Sequence, residues 1–187
     1  TTPLFENIVN KLKSYSMEAL RELLVSRILG SKLFGKDLII LMAPLPSVFK
    51  SNVMAYDELM KIASKLPKNA IVVITGYKDR KDVSLGNVVH AGHLTYLEYI
   101  ALLLLSDVVI LPYPNNAICG GVRNKVLEAC YCRKPIISTK AGMMHISAIP
   151  KIHYIPVEEI THRTLHTCNL TLLLKVESRD MASRLYK

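Results

Sequence analysis

A chain of 187 residues and 21.0 kDa has the size of one domain and can bury roughly 70% of the surface its unfolded form exposes. Its 50% hydrophobic and 21% charged composition excludes disordered, collagen-like and low-complexity proteins, and four cysteines are too few for a disulfide scaffold. The net charge of +9 is uneven: +3 over residues 1–36, zero over 37–111, and +4 over 112–140, where Arg123, Lys125, Arg133, Lys134 and Lys140 face Glu128 alone.

Residues 1–36 predict two basic amphipathic helices, Leu4 to Tyr15 and Met17 to Leu29, with Ser16 as N-cap of the second. They either pack onto the domain that begins at residue 37 or belong with a part missing from this chain. From residue 37 the pattern alternates. Leu38–Met42 reads as a strand buried on both faces. Val53–Leu66 has helical spacing. Ile71–Ile74 and Val88–His90 read as strands, Thr95–Ser106 as a helix, and Val108–Leu111 as a fourth strand. A short helix over 122–132, a strand at Pro135–Ser138, a sixth strand at Ile152–Ile155 and a broken helical tail from Glu158 to Tyr186 complete the chain. Strands spaced by helices build a parallel sheet. The expected fold is a doubly wound, Rossmann-like α/β domain over 37–187 with a helical appendage at 1–36. Ligands of such sheets bind beyond the carboxyl ends of the strands, here the loops 43–52, 75–87, 91–95, 112–121 and 139–145.

Several apparent motifs fail on their context. Gly30 to Lys36 nearly spells a phosphate-binding P-loop, but Asp37 stands where Ser or Thr is needed and the segment precedes a strand. No G-x-G-x-x-G occurs, so no dinucleotide cofactor is indicated. Cys130 and Cys132 in a helical stretch read as structural cysteines rather than a zinc site, and His162 and His166 lack the Glu of H-E-x-x-H. Neither a metal nor a cofactor is expected. The longest apolar stretch, Tyr99–Pro112, is broken by Ser106 and Asp107 and is too short to span a bilayer. A cytoplasmic location is expected, with peripheral membrane contact through the basic helices as an option. The absence of Gln hints at heat adaptation.

Function concentrates in residues 107–142: strand, loop, glycine turn, helix, strand. Gly120 and Gly121 let backbone N–H groups approach an anion at a helix start, where the dipole already favours negative charge. Val122, Val126, Ala129 and Cys130 share the face turned to the sheet. Arg123 and Lys125 fall in the first turn, where the dipole disfavours each cation by roughly 0.3–1 kcal/mol. A docked anion would reverse that cost; a Lys125–Glu128 surface pair is the alternative.

The stretch Gly120-Gly121-Val122-Arg123-Asn124-Lys125-Val126-Leu127-Glu128-Ala129, with Arg133-Lys134-Pro135-Ile136-Ile137 after it, resembles the donor-site helix of retaining GT-B glycosyltransferases, in the large family related to glycogen and sucrose synthases. Asn87–Gly92 and Ser106–Pro112 resemble the strands that precede that helix. The resemblance implies a nucleotide-sugar donor, UDP- or GDP-linked. It implies that Glu128 grips the ribose hydroxyls with both carboxylate oxygens. Lys125 and the amides of Gly120 and Gly121 would hold the diphosphate, with Arg123 helping and Lys50 a loosely aligned further contact. Two departures stand: Ala43-Pro44 replaces the family's Gly-Arg pair, and Gly120 replaces its first motif glutamate. The chain resembles only the C-terminal, donor-binding half, so no residue is assigned as catalytic and the acceptor domain or subunit lies elsewhere. A stand-alone nucleotide-binding or regulatory module is the second reading. Nucleic-acid binding is disfavoured, because three Phe and no Trp leave few stacking platforms.

Overall fold

The computed structural model describes residues 2–24, 39–77, 86–118 and 121–160. The expected tail helix beyond residue 160, with His162 and His166, lies outside the described residues, as do the end of the second N-terminal helix, the segment Gly30 to Lys36, and Gly120.

Six strands form one sheet, β1 (Ile39–Pro44), β2 (Ala70–Thr75), β3 (Val88–Gly92), β4 (Val108–Leu111), β5 (Ile136–Ser138) and β6 (Ile155–Pro156). The order is β3-β2-β1-β4-β5-β6 and every pairing is parallel. This is the doubly wound, Rossmann-like arrangement expected from the sequence. All residues of β2 and β4 are buried, which explains why β-branched residues dominate both: both faces of the sheet are covered.

Five helices are described: α1 (Pro3–Leu12), α2 (Met17–Leu24), α3 (Lys50–Ala63), α4 (Tyr96–Leu105) and α5 (Asn124–Tyr131). Helix α4 starts in a capping box in which Thr95 Oγ1 accepts from the Glu98 amide and Glu98 accepts in return from the Thr95 amide at 2.8 Å. Its far end is closed by Lys134, whose ammonium donates to the Leu104 and Ser106 carbonyls at 2.6 and 2.7 Å, a cation placed where the helix dipole favours it. Burial pulls the Lys134 pKa down.

The N-terminal helices pack on this domain. Phe5, Val9 and Leu12 of α1 and Leu20 and Leu24 of α2 are buried, and both helices rest on α4. Phe5 meets Tyr131 of α5 edge-on at 5.7 Å between centroids. Ser16 caps α2 as expected, its hydroxyl accepting from the Ala19 amide at 3.1 Å. The described part of the segment therefore packs onto the sheet domain with its apolar faces inward.

Some boundaries differ from those the periodicity suggested, because hydrophobic spacing marks the buried face of a helix and not its first residue. Helix α3 begins at Lys50, not Val53. Helix α5 begins at Asn124, which leaves Val122 ahead of the helix and 40% exposed rather than against the sheet. Val126 and Ala129 alone are buried from that helix. Glu158, expected to open a helix, lies in a short 3-10 turn, Val157–Glu159.

The junction of β1 with β4 is pinned by a reciprocal pair. The Ile40 amide donates to Asp107 Oδ2 at 2.8 Å, and the Asp107 amide donates to the Ile40 carbonyl at 2.9 Å. At the opposite ends of the neighbouring strands Gly76 adopts φ 76°, a region that side chains disfavour, and a Cβ there would lie 2.8 Å from Pro46 Cα. Its amide donates to the Gly92 carbonyl at 2.6 Å and its carbonyl accepts from the Ser47 amide at 3.0 Å. Gly76 thus ties three loops together.

Gly76→Ala is expected to cost about 1–3 kcal/mol of stability, measured by urea denaturation. Cys130 is half-buried and Cys132 buried, and burial pushes both thiols up to about 11. They stay protonated at neutral pH, and their contribution to stability is lost only as pH rises from about 9 through about 11. Peptide-level mass spectrometry should find both slow to alkylate with iodoacetamide at pH 8, relative to the denatured chain.

Candidate functional site

The carboxyl ends of β1 and β4 diverge over a cavity of about 730 Å³, at the position where the strand order reverses. Four of the five loops singled out from the sequence contribute to its lining: Pro44 to Asn52, Thr75-Gly76, His93-Leu94, and the segment from Ile118 onward into α5.

Helix α5 enters with no acidic residue in its first turn and no side-chain cap. Arg123 occupies the N-cap position with extended backbone, φ −78° and ψ 111°. Its side chain turns inward and is 7% exposed. The guanidinium lies on the ring of Tyr113, with Cζ 3.5 Å from the centroid, a cation–π contact at close range. Nε and Nη2 are buried with no hydrogen-bond partner among the described residues, and Arg123 forms no ion pair with them. A buried donor left unmet costs about 1–3 kcal/mol, and more when charged.

Lys125, two residues further on, reaches back across the crevice. Its ammonium donates to the Pro44 carbonyl, to Tyr113 Oη at 2.8 Å and to Asn52 Oδ1 at 3.3 Å. The Tyr113 hydroxyl in turn donates to Asn52 Oδ1 at 2.5 Å, and Asn52 Nδ2 donates to the Pro46 carbonyl at 2.8 Å. Lys125 therefore links β1, α3 and the loop after β4. It does not pair with Glu128, so the surface ion pair considered from the sequence does not form.

Glu128 lines the same cavity from the next turn of α5. Its Oε2 accepts from Tyr99 Oη at 2.6 Å. Tyr99 is held well above the ordinary tyrosine pKa, by burial first and then by the Glu128 carboxylate, so it remains a donor. Glu128 keeps Oε1 without a partner among the described residues. Gly121 is exposed, and a Cβ there would meet no atom of the described residues within 4 Å. The fold does not demand glycine at that position; the space in front of it is open.

The structure thus brings Arg123, Lys125 and Glu128 together at one cavity, with Gly121 beside them in the chain. Lys50 is not brought to it: this residue opens α3 with an exposed side chain, while its neighbours Phe49 and Ser51 line the cavity. Gly120 lies outside the described residues. Three participants were missed in the sequence. Tyr113 comes directly after β4 in Leu-Pro-Tyr-Pro, a loop already marked by the fold, and could have been found there. Asn52 and Tyr99 carry no local signal, because their partners lie 61 and 29 residues away.

No helix among the described residues is long and apolar enough to cross a membrane, and they contain no group of three or more His, Cys, Asp or Glu placed to hold a metal ion.

Comparison with solved structures finds the same fold at low identity. HepE of Anabaena, crystallised in complex with UDP-glucose, superposes with a TM-score of 0.60 at 14% identity, over 99% of this chain and 48% of its own. The C-terminal domain of LpcC, a glycosyl transferase group 1 family protein of Francisella tularensis, gives 0.55 at 14% identity, over 80% and 86%. The N-terminal domain of Candida albicans trehalose-6-phosphate phosphatase gives 0.50 at 13%, over 97% and 44%. The chain spans about half the length of HepE. No curated protein matches it. The family model described as glycosyl transferases group 1 matches residues 38–154, more than half of the chain and the whole of the sheet up to β6, and the chain belongs to that family.

Proposed function

We propose that this chain is the donor-binding half of a retaining group 1 glycosyltransferase, and that the cavity holds a nucleoside diphosphate sugar, with UDP or GDP as carrier. The observation that carries the reading is Arg123: a buried guanidinium beside an open cavity, with no counter-ion and two nitrogens unmet among the described residues. An anion at the start of α5 would compensate that charge and meet the helix dipole together. Gly121, exposed and next but one to Arg123 in the chain, places backbone without a side chain at the same point. Lys125 adds positive potential next to it, and Glu128 offers a carboxylate at the distance of one helical turn for the ribose hydroxyls. Oε2 retains a lone pair beyond the one used by Tyr99, so both oxygens can still accept. The complex of HepE with UDP-glucose supports the ligand class. The sugar acceptor is held by a second domain or subunit, in keeping with a chain that spans half of HepE.

Leaving-group charge is met in this scheme by Arg123, the α5 amides and Lys125 rather than by a metal. Calorimetric titration of the chain with UDP and GDP should show binding that survives EDTA. Loss of binding on chelation, or no binding of either nucleotide at millimolar concentration, would count against the scheme. Arg123→Ala and Glu128→Gln should each weaken binding by about tenfold to a hundredfold, since hydrogen bonds to charged groups contribute about 1.5–3 kcal/mol. The melting temperature of Glu128→Gln should stay close to that of the parent chain; early melting would make Glu128 structural.

The isolated chain should hydrolyse donor slowly at most and transfer no sugar. Positioning of the acceptor contributes on the order of 7–11 kcal/mol to such reactions and depends on the absent half. Robust transfer by this chain, assayed with radiolabelled donor, would overturn the assignment.

A further inference from the structure

Both cations of the cavity converge on one neutral side chain. Tyr113 is completely buried. Its backbone is held by Thr139, whose hydroxyl donates to the Tyr113 carbonyl at 2.5 Å. Its own hydroxyl is fixed between Asn52 Oδ1 at 2.5 Å and Lys125 Nζ at 2.8 Å. Asn52, itself buried, is anchored in turn on the Pro46 carbonyl. The side chain therefore cannot swing to another rotamer without breaking the bonds of its hydroxyl, and complete burial holds the ring in its plane. On its face sits the Arg123 guanidinium at 3.5 Å. A carboxylate in this place could also gather two cations, but it would cancel their charge. A tyrosine orients them and leaves the positive potential available to an anion.

We propose that Tyr113 is the positioning residue of the anion site: its ring fixes the plane of Arg123 and its hydroxyl fixes Lys125, so the guanidinium donors are oriented and the ammonium charge is held in place before a ligand arrives. This rests on the reading of the cavity as a diphosphate site. An arginine at a helix N-cap would otherwise sample many rotamers and lose that freedom on binding. Holding it flat on a fixed ring removes the loss in advance, which raises affinity without adding a contact.

The test titrates the full chain and its variants with inorganic pyrophosphate and, separately, with UDP. Tyr113→Phe keeps the stack but releases Lys125, and should fall between the parent and Tyr113→Leu, with a loss of about threefold to tenfold for pyrophosphate; parent-like affinity would remove the hydroxyl's part in the positioning. Tyr113→Leu removes the stack and should lose about tenfold or more. In an Arg123→Ala background Tyr113→Leu should cost about threefold at most, the part that acts through Lys125, because the part that acts through Arg123 is already lost. Arg123→Lys keeps the charge but not the plane, and should fall with Tyr113→Leu. That variant reads the same property should Tyr113→Leu fail to fold. Parent-like pyrophosphate affinity in Arg123→Lys or Tyr113→Leu, or full additivity in the double variant, overturns the positioning role. Pyrophosphate binding with this pattern but no UDP binding leaves the positioning role standing and removes the nucleotide reading. UDP bound equally by parent and Tyr113→Leu does the reverse, and a parent chain that binds neither probe removes both.

Discussion

A parallel sheet covered on both faces can offer a ligand only its edges, and this constraint organises the whole molecule. With β2 and β4 buried throughout, access is left where strands end and the backbone turns away toward helices. Between β1 and β4 the connections leave for opposite sides of the sheet, and the crevice between them cannot close. The reciprocal bonds between Ile40 and Asp107 hold these two strands in register at their amino ends, while Lys125 spans the gap at their carboxyl ends. The cavity is thus a consequence of topology, and the residues around it decide what it accepts.

Those residues form a charged wall that is poor in compensation. Arg123 has no carboxylate partner among the described residues and two nitrogens without acceptors there. Its cost is reduced by the face of Tyr113 but not removed, since a ring quadrupole offers less than an anion does. The carboxylate that α5 turns to the cavity, Glu128, is engaged by Tyr99 instead of by a cation. Separation of Glu128 from Lys125 keeps a negative and a positive surface side by side in one site. A ligand with a diphosphate at one end and vicinal hydroxyls at the other matches that division.

The likeness to HepE and LpcC at 14% identity is intelligible in the same terms. What the fold requires is a rhythm of β-rich runs and amphipathic helices, and many residues satisfy each position. The N-terminal helices extend the core beyond the sheet's own connections: α1 and α2 add cover to α4, and through Phe5 to α5.

From β1 to β5, sequence alone determined which runs are strands and which are helices, that the sheet is parallel, and which loops flank its carboxyl edge. These depend on hydrophobic period and spacing, which are local properties. It also pointed to Arg123 and Lys125, because cations at a helix start are locally anomalous, and to Glu128 through the resemblance of the stretch Gly120 to Ala129 to a donor-site helix. Tertiary structure decided the rest. It placed Val122 outside α5 and Lys50 outside the cavity, since a shifted helix start redirects every side chain near it. It joined Asn52 to Tyr113 and Tyr99 to Glu128 across 61 and 29 residues. No period or motif records such pairs. They exist only because β1 and β4 lie side by side and α4 and α5 come together, which is a property of the folded chain and not of any segment within it.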